Sequence, residues 1–163
     1  MKTVYFSLGS NLGDRKVNLR RALKLMSPEV KIEARSPVYD TDPLYFTDQP
    51  RFYNVVVCGK TSLTPTQLLA HTQGIEAQMG RTGATHNRPR VVDIDILTYG
   101  KEVISTDDLT LPHPRITERA FVLVPLRDIA PGFTHPVSGA TVENMLARIP
   151  DWQEQVKRTN VRV

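Results

Sequence analysis

The order in which the hydrophobic period changes over the first hundred residues restricts the fold of this chain more than any other feature. Thr3 to Leu8 alternates Val4, Phe6 and Leu8 against Thr3, Tyr5 and Ser7, which is the period of a strand with one buried face. After the turn Gly9-Ser10-Asn11-Leu12-Gly13, Leu19, Ala22, Leu23 and Met26 recur at helical spacing behind a suitable N-cap, Asp14, and Ser27-Pro28 ends that helix. A second strand is predicted from Val30 to about Val38, and a third from Phe52 to Gly59 through Val55, Val56 and Val57. Thr64-Pro65-Thr66-Gln67 reads as a capping box with proline at the first helical position, and Leu68, Thr72, Ile75 and Met79 carry one face of that helix to Gly80. Val91 to Leu97 is the most strongly β-branched strand. Strand, helix, strand, strand, helix, strand is the split βαβ order. It predicts an α+β protein with a ferredoxin-like βαββαβ core, an antiparallel sheet carrying its helices on a face.

Beyond residue 100 come the turn Leu111-Pro112-His113-Pro114, an amphipathic stretch from Glu118 to Ile129 and a short helix from Val142 to Ile149 capped by Thr141. No repeat, low-complexity tract or linker interrupts the 163 residues, so residues 1–163 read as one domain. The single cysteine, Cys58, cannot form an internal disulfide, and no run is apolar enough for a signal peptide or a membrane span; the expectation is a cytoplasmic protein. The net charge of +4 is mild and commits the chain to no class of partner. Gly9-Ser10-Asn11 is too short for a dinucleotide fingerprint or a P-loop. Between Asp40 and Arg51, the prolines Pro43 and Pro50 and the acids Asp40, Asp42 and Asp48 mark a long loop of the kind that carries function.

The chemistry concentrates on Asp93-Ile94-Asp95. Residues two apart in a strand share a face at about 6.6 to 7 Å. At an effective dielectric near 20, two negative charges at that separation repel by roughly 2.4 kcal/mol, so a cation should accompany them. Two readings meet that need: a magnesium ion, which takes one or two carboxylates plus substrate phosphates, or ion pairs with neighbouring arginines. Just upstream, Arg81, Arg88 and Arg90 lie in a stretch without acids, and arginine's planar fork matches phosphate oxygens. His113, held between prolines with Arg115 and Arg119 nearby, is a further phosphate-contact candidate, whereas His71, His135 and Cys58 read as packing or surface residues.

These residues in this order resemble the 6-hydroxymethyl-7,8-dihydropterin pyrophosphokinase family over essentially the whole chain. The resemblance rests on Gly9-Ser10-Asn11-Leu12-Gly13, Tyr39 to Thr41 with Pro43-Leu44, Asp48-Gln49-Pro50 with Phe52 and Asn54, and Gln73-Gly74-Ile75-Glu76. It continues through Gly80-Arg81, Arg88 to Leu97, Leu111-Pro112-His113, Arg119-Ala120-Phe121 and Pro125-Leu126. It implies transfer of the β,γ-diphosphate of ATP to a pterin hydroxymethyl group in folate biosynthesis, by a small, usually monomeric cytoplasmic enzyme with the sheet flanked by helices in three α/β/α layers. On this resemblance Asp93 and Asp95 hold two magnesium ions and, with Arg81 and Arg90, form the catalytic set. ATP is contacted by Gln73, Glu76, Arg81, Arg88, Arg90, Ile96, His113 and Arg119. The pterin is held by Thr41, Pro43, Leu44 and Asn54, with backbone groups of residues 42–45, and is sandwiched between Phe52 and Phe121. Residues 43–51 and 81–90 are the expected mobile loops. Asn87-Arg88 stands where many relatives carry Trp-Gly, and Asp108 where some carry arginine. Two other classes compete. An RNA-binding module shares the βαββαβ order, but Arg51 to Val57 lacks its aromatic signature, and the aspartates would repel a phosphate backbone; a two-metal nuclease would also use the two carboxylates.

Overall fold

The structure is a computed structural model and describes residues 1–45, 47–80 and 89–163. Strand β1 (Lys2–Ser10) lies between β4 (Phe52–Thr61) and β5 (Asp93–Tyr99), antiparallel to both. On its far side β4 pairs with β2 (Val30–Arg35) and β3 (Tyr39–Thr41), and β3 pairs in turn with β8 (Val156–Arg158), completing a six-stranded sheet. Among the described residues β5 is therefore an edge strand.

The helices form where their caps dictate. Helix α1 (Arg15–Met26) starts at Asp14, whose carboxylate accepts the Val17 amide at 3.1 Å. Helix α2 (Pro65–Gln78) opens with the reciprocal Thr64 and Gln67 bonds of 3.2 and 3.0 Å. Val4, Phe6 and Leu8 of β1, Val55 and Val57 of β4, and Ile94 and Ile96 of β5 bury against these two helices. The alternate side chains Tyr39, Val56 and Leu97 bury on the opposite face beneath α3 (Ala120–Ile129) and α4 (Val142–Ala147), through Leu123, Leu126, Met145 and Leu146. The three-layer α/β/α arrangement follows from period-2 strands with both faces covered.

Several boundaries differ from those predicted. The second strand is two. Pro37 has no amide to donate, and the Ser36 hydroxyl accepts the Val56 amide at 3.0 Å across the break, so Asp40 and Thr41 belong to β3 and the loop begins at residue 42. The strand predicted from Val91 begins at Asp93, which places the aspartate pair at its entry and not in its middle. The stretch from Glu118 to Ile129 is a 3₁₀ turn (Ile116–Glu118) followed by α3, and the helix capped by Thr141 ends at Ala147. The small hairpin of β6 (Ile104–Ser105) and β7 (Thr110–Leu111), helix α5 (Trp152–Gln155) and β8 had no counterpart in the prediction, being too short to display a period.

Candidate active site

Strand register builds the site. Gly9 of β1 pairs with Asn54 on β4 and with Asp93 on β5, so three neighbouring positions about 4.8 Å apart point the same way and the central one has no side chain. A Cβ on Gly9 would come within 2.7 Å of the Asn54 Oδ1 and 3.4 Å of the Phe52 ring. Only glycine leaves this floor open. The Asn54 amide donates to the Thr41 hydroxyl at 2.5 Å, both side chains being buried. Above this floor lies a cavity of about 70 Å³, lined by Thr41, Leu44, Phe52, Asn54, Asp93 and Phe121 among others.

One buried side chain fastens two segments entering the site. Asn11 donates to Gln49 at 2.8 Å and to the Pro50 carbonyl at 3.0 Å, while its Oδ1 accepts the Arg90 amide at 2.9 Å. Arg51 ties the ends of the substrate-side loop together, donating from Nε to Asp40 at 2.8 Å and pairing with Asp42.

Each aspartate faces an arginine. The Arg90 guanidinium is 3.2 Å from Asp93, and that of Arg119 is 3.3 Å from Asp95. The arginine side chains are only 10% and 13% exposed and the carboxylates 24% and 28%, so each acid reaches the surface beside its arginine. Both cation readings have physical support: arginines offset the repulsion, and carboxylate oxygens are the donors a hard divalent ion takes. Among the described residues no group of three or more His, Cys, Asp and Glu converges; Asp93 and Asp95 would give a divalent ion two carboxylates, with water and substrate oxygens making up the rest. That division fits magnesium better than calcium or zinc.

A second cavity, of about 270 Å³, lies on the other side of Asp95 and is lined by Leu69, Ile96, Asp107, Asp108 and His113 among others. The backbone amide of His113 donates to the Leu97 carbonyl at 2.8 Å, and its Nδ1 accepts the Arg115 amide at 3.1 Å. That bond assigns the neutral ring's proton to Nε2. Burial, then the Arg119 and Arg115 cations, outweigh Asp93 and Glu118 and push the imidazole down to about 4. His113 is therefore a neutral hydrogen-bond donor near pH 7, where the sequence suggested a phosphate contact without its charge state.

The predicted site residues fall into four groups. Thr41, Leu44, Phe52, Asn54, Phe121, Arg90, Asp93 and Arg119 line the first cavity, and Asp95, Ile96 and His113 the second. Pro43 sits between two lining residues without lining the cavity itself. Glu76 is buried on α2 and accepts the Ile94 amide at 2.8 Å, which anchors the catalytic strand, whereas Gln73 is exposed and lines neither cavity. Arg81 and Arg88, with residues 81–88 of the expected mobile loop 81–90, lie outside the described residues. The residues that sequence reasoning missed are Gly9 as the floor, Asn11 as the fastener, and the side chains of Tyr45 and Gln49. The run Gly9-Ser10-Asn11 was visible as a turn, but nothing in it announced its partners 38 and 79 positions away.

Comparison with known proteins bears on the same residues. The model of the 7,8-dihydro-6-hydroxymethylpterin-pyrophosphokinase (HPPK) family matches residues 5–131. The 2-amino-4-hydroxy-6-hydroxymethyldihydropteridine pyrophosphokinase of Bacillus subtilis is 40% identical over 153 residues, covering 93% of this chain and 90% of that protein. The folic acid synthesis protein fol1 of Pneumocystis carinii is 44% identical over 92% of this chain, which spans only 20% of its length; for the Dictyostelium discoideum folic acid synthesis protein the share is 22%. A solved Plasmodium falciparum HPPK-DHPS chain superposes on 96% of this chain with a TM-score of 0.78 at 18% identity, covering 46% of that chain, a likeness of fold.

Proposed function

Because the chain belongs to the 7,8-dihydro-6-hydroxymethylpterin-pyrophosphokinase family, we propose that it transfers the β,γ-diphosphate of ATP to the hydroxymethyl group of 6-hydroxymethyl-7,8-dihydropterin, releasing AMP, in folate biosynthesis. The observation that carries this reading is the position of the carboxylate pair, with Asp93 at a small cavity walled by two aromatic rings and Asp95 at a larger one beside His113 and Ile96. A flat heterocycle suits the first, between Phe52 and Phe121, with Asn54 and Thr41 at its polar edge. A nucleoside suits the second, with its phosphates reaching back to the aspartates.

In this reaction the pterin hydroxyl oxygen bonds to the β-phosphorus, the bond from that phosphorus to the α,β-bridging oxygen breaks, and the hydroxyl proton is released. Asn54 and Thr41 orient the acceptor, Arg90 and Arg119 offset charge on the transferring group, and His113 donates from Nε2 to a phosphate oxygen. Asp93 and Asp95 are the residues that would hold two magnesium ions, which when bound neutralise and align the triphosphate. The RNA-module reading has no support in the family match, and the same aspartates opposed it from the start. The proposal extends to a cytoplasmic monomer of one domain that binds neither nucleic acid nor membrane; no helix among the described residues is long and apolar enough to cross a bilayer.

The test is product identity. Incubation with ATP, magnesium and the hydroxymethyl dihydropterin is expected to yield AMP, with turnover reduced by about 10³-fold or more in Asp95→Ala. Formation of ADP would make the protein an ordinary kinase, and full activity in Asp95→Ala would remove the metal assignment.

A further inference from the structure

The Tyr45 side chain belongs to no motif that led to the functional reading, yet among the described residues it links the substrate-side loop to Arg115 and Arg119. It lines the small cavity together with Leu44, Phe52 and Phe121. Its hydroxyl donates to Glu118 at 3.0 Å and accepts from the Arg119 Nε at 3.1 Å. Arg119 in turn donates from its NH1 nitrogen to Asp95 at 3.3 Å. The Tyr45 ring lies beneath two cations, 4.7 Å from Arg115 and 5.3 Å from Arg119, and the Phe121 ring is 5.5 Å from Arg119. A guanidinium is planar, so two bonds from different nitrogens to two fixed acceptors define its orientation, and the two rings limit its tilt.

We propose that Tyr45 is a positioning residue whose hydroxyl sets the orientation of Arg119 beside Asp95 and so aims the arginine at the transferring phosphates. This rests on the functional reading given above. A guanidinium fixed before the reaction reorganises less as charge moves, and that advantage appears in turnover more than in binding.

Tyr45→Phe separates this role from packing, because it deletes the hydroxyl and keeps the ring under both cations. The expected result is a fall in kcat of about tenfold with the pterin KM changed less than about twofold. Since Tyr45 acts through Arg119, adding Tyr45→Phe to an Arg119→Ala background should lower the residual rate by less than about twofold, the non-additivity of residues in one network. A reading independent of turnover is proton exchange at the Arg119 Nε–H by nitrogen-resolved NMR, assigned with Arg119→Lys: slow in the wild type and fast in Tyr45→Phe. Unchanged kcat in Tyr45→Phe, equal losses in both backgrounds, or equal exchange in the two proteins would each overturn the proposal. Absence of AMP formation in the wild type would instead overturn the functional reading, and the exchange measurement then decides on Tyr45 alone.

Discussion

His113 illustrates how an environment, more than a residue type, decides a role. In sequence it is a histidine among arginines and reads as a phosphate-contact candidate with no charge state assigned. In the folded protein, burial and the Arg119 charge hold it neutral near pH 7, and its Nδ1 is occupied by the Arg115 amide. Its folded value of about 4 lies below the ordinary 6.5, so between those values the unfolded chain binds a proton that the folded chain refuses. Stability contributed by this group is present above pH 6.5 and is lost as pH falls toward 4. His113→Asn, which keeps an acceptor near the Nδ1 position, should flatten the dependence of unfolding free energy on pH across that window by at most about 1.4 kcal/mol per pH unit. Urea titrations of the metal-free protein at several pH values measure this, and parallel slopes for the two proteins would count against a neutral His113. Gly9 makes the same point without charge, because its value is the absence of a Cβ that would strike Asn54.

The element that most needs tertiary support is the loop between β3 and β4. Its described residues form no helix or strand, and they are held by fasteners at the loop's ends: Asn11 holding Gln49 and Pro50, and Arg51 spanning Asp40 and Asp42. The Arg51 pairs are partly exposed, and such pairs contribute little to global stability, about 0 to 1 kcal/mol each. Their effect is local, because they select one conformation for a segment that would otherwise sample many. Arg51→Ala should therefore cost less than about 1 kcal/mol of stability while weakening pterin binding about tenfold and leaving binding of a non-hydrolysable ATP analogue within about twofold. Calorimetric titration of both ligands checks it; equal weakening of the two would show that Arg51 supports the whole site and not the loop. The split of the second strand is a finding of the same scale. Pro37 interrupts the ladder, the Ser36 hydroxyl repairs it, and the resulting offset brings Thr41 level with Phe52 and within reach of Asn54.

At the scale of the molecule, one sheet with two covered faces divides the labour. The face under α1 and α2 is mainly apolar packing, with Glu76 of α2 bonded to the Ile94 amide, while the face under α3 and α4 carries the site at its edge, where Arg119 and Phe121 at the start of α3 meet Asp93 and Asp95. Leu123 is wholly buried on that second face. Leu123→Ala should destabilise the protein by about 2 to 5 kcal/mol, and the thermal transition should remain single, since β4 and β5 contribute to both cores. Two separated transitions by calorimetry would mean that the C-terminal helices fold as a unit apart, against the one-domain expectation. Sequence alone determined the alternating strands, the capped helices, the βαββαβ order and the identity of the carboxylate pair, because each is expressed by residues within a few positions of one another. The tertiary structure alone decided which residues meet: Gly9 between Asn54 and Asp93, Asn11 between two loops, Tyr45 against Arg119, and Glu76 beneath Ile94 while neighbouring Gln73 faces solvent. These contacts join residues 18 to 84 positions apart, as from Glu76 to Ile94 and from Gly9 to Asp93. Strand register and the packing of both faces set them together, and no local pattern in the chain encodes them.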